Sequence, residues 1–164
     1  MGRLLVAVAV AVAVGAIGTP AGAATVNPRP VRAEIARQVA ATYPGLAFGN
    51  VACPDGVARR TGKRFTCTVQ LPGTFLRLTA TQSDDRGSVT FDTEQAVLSR
   101  QSLEEFVAAN ASLAATVTCG NAGWLVVRPG QQLSCHAALA DGASRDVQLI
   151  VRDTAGNVTI TGVT

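Results

Sequence analysis

The sequence predicts an α+β protein built from two tandem repeats, each one helix packed on a roughly four-stranded antiparallel sheet with one disulfide. Three observations point to this. First, "GKRFTC" at 62–67 returns as "GQQLSC" at 130–135, an offset of 68. "SVTF" at 88–91 returns as "NVTI" at 157–160 and Gly87 as Gly156, both at 69, and the first cysteines, in "VAC" and "VTC", align at 66. Self-similarity at a nearly fixed spacing marks a duplicated unit, and small insertions in turns account for the drift. Second, each copy begins with helical spacing of apolar residues and continues with spacing of two. Third, the four cysteines fall two to a copy.

The chain opens MGRLLVAVAVAVAVGAIGTPAGAA. Arg3 precedes an apolar run from Leu4 to Ile17, Thr19-Pro20 breaks it, and Ala21-Gly22-Ala23 offers small residues for cleavage. That order is a secretory signal peptide over 1–23. The run, roughly 14 residues, is shorter than the ~20 a spanning helix needs, so no stable membrane insertion is expected after cleavage. No cysteine follows the cleavage site to accept lipid. The expected organisation is a signal peptide at 1–23, a linker at 24–30, repeat 1 at 31–98 and repeat 2 at 99–164, in a secreted or extracytoplasmic protein.

In repeat 1 a helix starts at Pro30, where proline's missing N–H costs nothing. Val31, Ile35 and Val39 form its apolar stripe, and Pro44-Gly45 end it. In repeat 2, Ser102 and Glu105 read as a capping box, with Leu103, Phe106, Val107 and Leu113 on the buried face. Strands follow. Phe65, Cys67, Val69 and Leu71 alternate with polar residues, as do Leu133, Cys135, Ala137 and Leu139. The tight turns 71–74 and 140–143 lead to strands with Leu76, Leu78 and Ala80, or Val147, Leu149 and Val151, on one face. A second turn, "SDDRGS" or "RDTAGN", precedes the last strand of each copy.

An even number of cysteines in an exported chain favours disulfides. Structural zinc prefers ligands two to four residues apart, and none of the four is so spaced. Of the three possible pairings, only Cys53–Cys67 with Cys119–Cys135 makes the repeats equivalent. Each bridge closes a loop of about 15 residues, worth about 3 kcal/mol in the chain-entropy model.

The motifs "VACPDG" and "GKRFTCTVQL", that is V-x-C-P followed by G-x-x-F-x-C-T-V after a helix, resemble a small extracytoplasmic domain of unknown function. That family is widespread in actinobacterial secreted, lipoprotein and membrane-anchored proteins. The resemblance covers 31 to about 95. The second copy departs from it, with Gly120 in place of the proline and a longer loop holding Trp124. The resemblance implies the compartment and the fold, and it brings no catalytic residues.

A net charge of +3, one unit of it from Arg3, is too weak for nucleic acid or an anionic membrane. His136, the sole histidine, sits beside Cys135 on a strand and is expected to face solvent. The acidic residues Glu104, Glu105, Asp84, Asp85, Asp141, Asp146 and Asp153 fall mostly at a helix start or in turns, where they serve the backbone. No calcium loop, phosphate loop, nucleophile elbow or metal motif appears, so neither enzymatic activity nor a cofactor or metal is expected. The densest charge is "RRTGKR", with Arg59, Arg60, Lys63 and Arg64 inside the first disulfide loop. Its counterpart, "VVRPGQQ", keeps only Arg128, so the fold does not require these cations. Trp124, in a predicted loop with Leu125, Val126 and Val127, is expected either to pack between the repeats or to form an exposed contact.

These features predict a secreted, non-catalytic binding module. Its partner is an unidentified protein or envelope component, with Arg59, Arg60, Lys63, Arg64 and Trp124 as candidate contacts. The alternatives are an inhibitor or small-ligand carrier with a helix–sheet cleft, and a hydrolase whose site is assembled from dispersed residues.

Overall fold

The computed structural model describes residues 24–111 and 115–164. The signal peptide assigned to 1–23 and the core position assigned to Leu113 lie outside the described residues. The fold is α+β, and the chain divides into two compact units between Thr93 and Glu94.

The first unit contains α1 (Pro28–Thr42), β1 (Val51–Ala52), β2 (Arg64–Leu71), β3 (Thr74–Gln82) and β4 (Val89–Asp92). The strands pair antiparallel in the order β1-β2-β3-β4. The expected stripe Val31, Ile35, Val39 is the buried face of α1, which lies against β1. Cys67, Val69, Leu71, Leu76, Leu78 and Ala80 are the buried positions expected for the hairpin. Leu71 pairs with Thr74 across Pro72-Gly73.

Two local expectations need correction. The helix starts at Pro28 rather than Pro30, because Asn27 supplies the cap by accepting from the Arg29 N–H at 3.0 Å. Pro28 and Pro30 both then fall in the first turn, where backbone N–H groups have no helical acceptor. The segment expected as a linker at 24–30 is tied down ahead of the helix. Thr25 bridges Ala58, the Val26 N–H reaches the Val57 carbonyl at 2.8 Å, and Val26 is buried.

The second unit contains β5 (Ala96–Ser99), α2 (Arg100–Asn110), β6 (Ala115–Thr118), β7 (Trp124–Val127), β8 (Gln132–Leu139), β9 (Ser144–Val151) and β10 (Val158–Val163). Four of its strands form an antiparallel sheet in the order β10-β9-β8-β6. Leu103 and Val107 of α2 pack with Cys119, Cys135, Ala137, Val147 and Leu149. This is the helix-on-sheet layer of the first unit, repeated.

It carries an addition that the repeat pattern conceals. β5 and β7 form a separate two-stranded sheet, and Ala96, Leu98 and Val127 pack with Val151 in a second cluster. The expected repeat boundary at 98/99 is therefore displaced, since β5 finds its strand partner in the second unit. Trp124 correspondingly opens a strand instead of lying in a loop. The run "WLVV", rich in aromatic and β-branched side chains, suits a pleated ladder. The cap of α2 also shifts. Ser99 Oγ accepts from the Ser102 N–H at 3.4 Å, which leaves Ser102 inside the first turn. Glu104 instead reaches across the fold, its Oε1 accepting the Cys119 N–H at 3.0 Å.

Cys53 is bonded to Cys67 and Cys119 to Cys135. All four cysteines are buried, so each bridge forms part of its unit's core. The first pins β1 to β2.

Candidate functional site: a braced pair of basic turns

β3 ends at Gln82, which continues the inward alternation of Leu76, Leu78 and Ala80 and is 1 % exposed. A buried primary amide must find partners or cost free energy. Here it finds them in the disulfide loop. Its Nε2 donates to the Ala58 carbonyl at 2.9 Å, and its Oε1 accepts the Arg60 N–H at 2.9 Å. Its own N–H donates to the Lys63 carbonyl at 2.9 Å, and its carbonyl accepts from Gly62 at 2.8 Å.

That places a tight turn at 60–63, closed by the Lys63 N–H on the Arg60 carbonyl at 3.0 Å. Gly62, at φ 77°, takes the left-handed position that the turn requires. A second turn lies alongside. Asp85 Oδ1 accepts both the Thr61 N–H, at 2.7 Å, and the Thr61 hydroxyl, at 2.9 Å. Asp84 Oδ1 accepts the N–H groups of Arg86 and Ser88, each at 2.9 Å, and its Oδ2 accepts the Ser88 hydroxyl at 2.8 Å. The Ser88 N–H and hydroxyl, then Arg86, hold the Asp84 carboxyl below its ordinary range. The Thr61 N–H and hydroxyl do the same for Asp85. Both acids are thereby committed to the backbone as anions.

Arg60, Lys63 and Arg64 are exposed on this scaffold. Among the described residues, no ion pair to any of them is present. Arg86 projects from the second turn and is exposed as well. Arg59 has a different role, since its Nε donates to the Thr25 carbonyl at 3.0 Å and holds the N-terminal segment in place. The structure thus keeps three of the four expected cations as free surface groups, adds Arg86, and makes Arg59 a tie. Two further members escaped sequence reasoning. A polar residue on the buried register of a strand was the signal for Gln82, and the arginine inside "SDDRGS" was the signal for Arg86.

The second unit repeats the turn backbone without the bracing and keeps, of the turn's cations, only Arg128 at the position of Arg60. Gly130 donates to the Val151 carbonyl at 2.7 Å, Val151 to Gln131 at 2.9 Å, and Gln131 to Arg128 at 3.0 Å. Asp153 Oδ1 accepts from Ala155 and Asn157 as Asp84 does from Arg86 and Ser88. Yet Val151 stands for Gln82, Pro129 for Thr61, Thr154 for Asp85, Gln131 for Lys63, Gln132 for Arg64 and Ala155 for Arg86.

His136 faces solvent from β8 and meets Asp146 directly across the ladder, Nδ1 to Oδ1 at 3.1 Å. Thr118 lies opposite it on the other side. Imidazole and carboxylate are 58 % and 57 % exposed, so the pair is a solvated cross-strand contact. Asp146 is a mid-strand residue, unlike the turn acids. Trp124, half-buried, pairs with Ser99. Among the described residues, no three His, Cys, Asp or Glu side chains gather into a metal-binding group.

Two small helix-on-sheet units, each pinned by a buried disulfide and separated by what their turns display, define the class of protein. Residues 8–87 match the model of a family described as a domain of unknown function, DUF4333. The match starts within the N-terminal apolar run and ends in the turn before β4, so it spans α1, the first disulfide and the braced turns. No curated protein and no solved structure matches the chain.

Proposed function

We propose that this is a secreted, non-catalytic binding module that engages an anionic protein or envelope component through the braced turns of its first unit. The observation carrying this reading is the internal contrast. The same turn backbone occurs twice, and only one copy joins a buried amide and an aspartate–threonine bridge to four exposed cations. Pre-ordering a loop lowers the entropy lost when it binds, and exposed guanidinium groups suit carboxylate or phosphate oxygens. The second unit is a diverged copy of the same domain, retained for its fold.

Two disulfides support an extracytoplasmic location. Among the described residues, no helix is long and apolar enough to cross a membrane. The filled layer between α1 and its sheet, where Ile35, Val69 and Leu76 are almost fully buried, favours surface recognition over a ligand held in a helix–sheet cleft.

The test replaces the cations with residues that the second unit already carries, Lys63→Gln, Arg64→Gln and Arg86→Ala, together with Arg60→Gln. Wild type and variant are compared for binding to isolated envelope fractions and to immobilised dextran sulfate. The variant should bind about tenfold more weakly or worse, with a shallower salt dependence. Equal binding by both proteins rules the reading out.

A further inference from the structure

We propose that residues 24–26 form a releasable strap that sets the order of the basic turns, so that N-terminal trimming past Val26 switches the anion site down. The proposal rests on the function proposed above for those turns and concerns the regulation of that same site. Residues 57–60, inside the first disulfide loop, lie between two clamps that take alternate residues. On one edge the strap pairs with them, the Val26 N–H donating to the Val57 carbonyl and the Arg59 N–H to the Ala24 carbonyl, both at 2.8 Å. On the other edge the Gln82 amide holds the Ala58 carbonyl and the Arg60 N–H. Four consecutive residues are thus fixed, half by main chain and half by one side chain.

The strap also touches the second turn. Arg59 Nε donates to the Thr25 carbonyl, and Gly87, next to Arg86, lies against both partners. A Cβ at Gly87 would stand 3.5 Å from Arg59 Nε and 4.0 Å from Val26 Cγ2. One short segment therefore bears on both cation-carrying turns.

The second unit carries the same pairing in a firmer form. Val97, two residues before the cap of α2, pairs with Val126, as Thr25, two residues before the cap of α1, bridges Ala58. Leu98 meets Gly156 as Val26 meets Gly87. There the ladder runs over four residue pairs, and Ala96, Val97 and Leu98 are all buried. The first unit has a single bridge, and Ala24 and Thr25 are exposed, with only Val26 buried. So few buried contacts make the strap a segment that opens locally at low free energy. Once it opens, Gln82 holds the loop from one edge alone. A loop ordered beforehand loses less entropy on binding. By linkage, an anion that favours the ordered loop must hold the strap down in return.

The test compares chains 24–164 and 27–164, with Val26→Pro in the longer chain. Proline removes the Val26 donor, and neither change removes a side-chain cation. Circular dichroism establishes that each protein folds. Hydrogen exchange at Arg60, whose own acceptor on Gln82 is untouched, should quicken at least about threefold in both altered proteins. Binding to immobilised dextran sulfate should weaken at least about threefold with the salt dependence of the wild type, unlike the cation-replaced protein above. Thr25→Val with Ala58→Val, which copies the Val97–Val126 pair, should slow exchange at Arg59 and tighten binding. Dextran sulfate added to the wild type should slow exchange at Val26. Arg60 exchange unchanged by both strap alterations overturns the proposal, as does binding unchanged by both. A wild type that does not bind dextran sulfate sinks the charge reading instead, and Arg60 exchange alone then decides whether the strap orders the loop.

Discussion

Gln82 shows how one side chain converts a strand end into a platform. Its position in the alternation calls for an apolar residue, and the second unit has one, Val151, at 1 % exposure. Replacing Gln82 by Val should lose two hydrogen bonds to the disulfide loop and lower stability by about 1 kcal/mol, since water can reach the freed groups at exposed Ala58 and Arg60. Urea denaturation measures this, and faster hydrogen exchange at Arg60 places it in the loop. The reverse change, Val151→Gln, should be worse, about 1–3 kcal/mol, because the Arg128 N–H is already bonded to Gln131 Oε1. Gln82 was legible only as an anomaly. Its partners are backbone groups about twenty residues away, and no periodicity reports them.

Among elements, the two Asx-type turns, at Asp84 and Asp153, and the Asp85–Thr61 bridge share one electrostatic device. Asp84, Asp85 and Asp153 all have carboxyls held below the ordinary aspartate value of 3.8. Backbone and side-chain donors cause the shift, the Asn157 side chain foremost for Asp153. A depressed native value means that the unfolded chain takes up protons first as pH falls. Their contribution is therefore complete above the ordinary value and is lost as pH drops through the lower native one. Amide exchange at Thr61, Arg86, Ser88, Ala155 and Asn157, corrected for intrinsic rates, should stay constant from neutral pH to about 5 and lose protection well below 4. Asp84→Asn should flatten the effect at Arg86 and Ser88 and leave Thr61, held by Asp85, and the second unit unchanged. The elements also show where reading by pattern falters. "WLVV" was legible as apolar, but its identity as a strand depended on β5, which lies on the far side of α2 in sequence.

For the whole molecule, the disulfides separate stability from binding. Removing either pair as Cys→Ala should lower stability by about 3 kcal/mol, measured by denaturant unfolding. Only loss of Cys53–Cys67 should also weaken binding to anionic partners, because that bridge closes the loop bearing Arg60 and Lys63. The sequence by itself determined the duplication, the disulfide pairing, the helix stripes and the inner faces of both hairpins. These follow from local periodicity and from the equivalence of the copies, and both are written in consecutive residues. Only the tertiary structure decided that β5 joins β7, that residues 24–26 run against the disulfide loop, that Arg59 is a tie while Arg86 is free, and that His136 meets Asp146. Each of these depends on strand register or on a long-range backbone partner, and a repeat pattern carries neither.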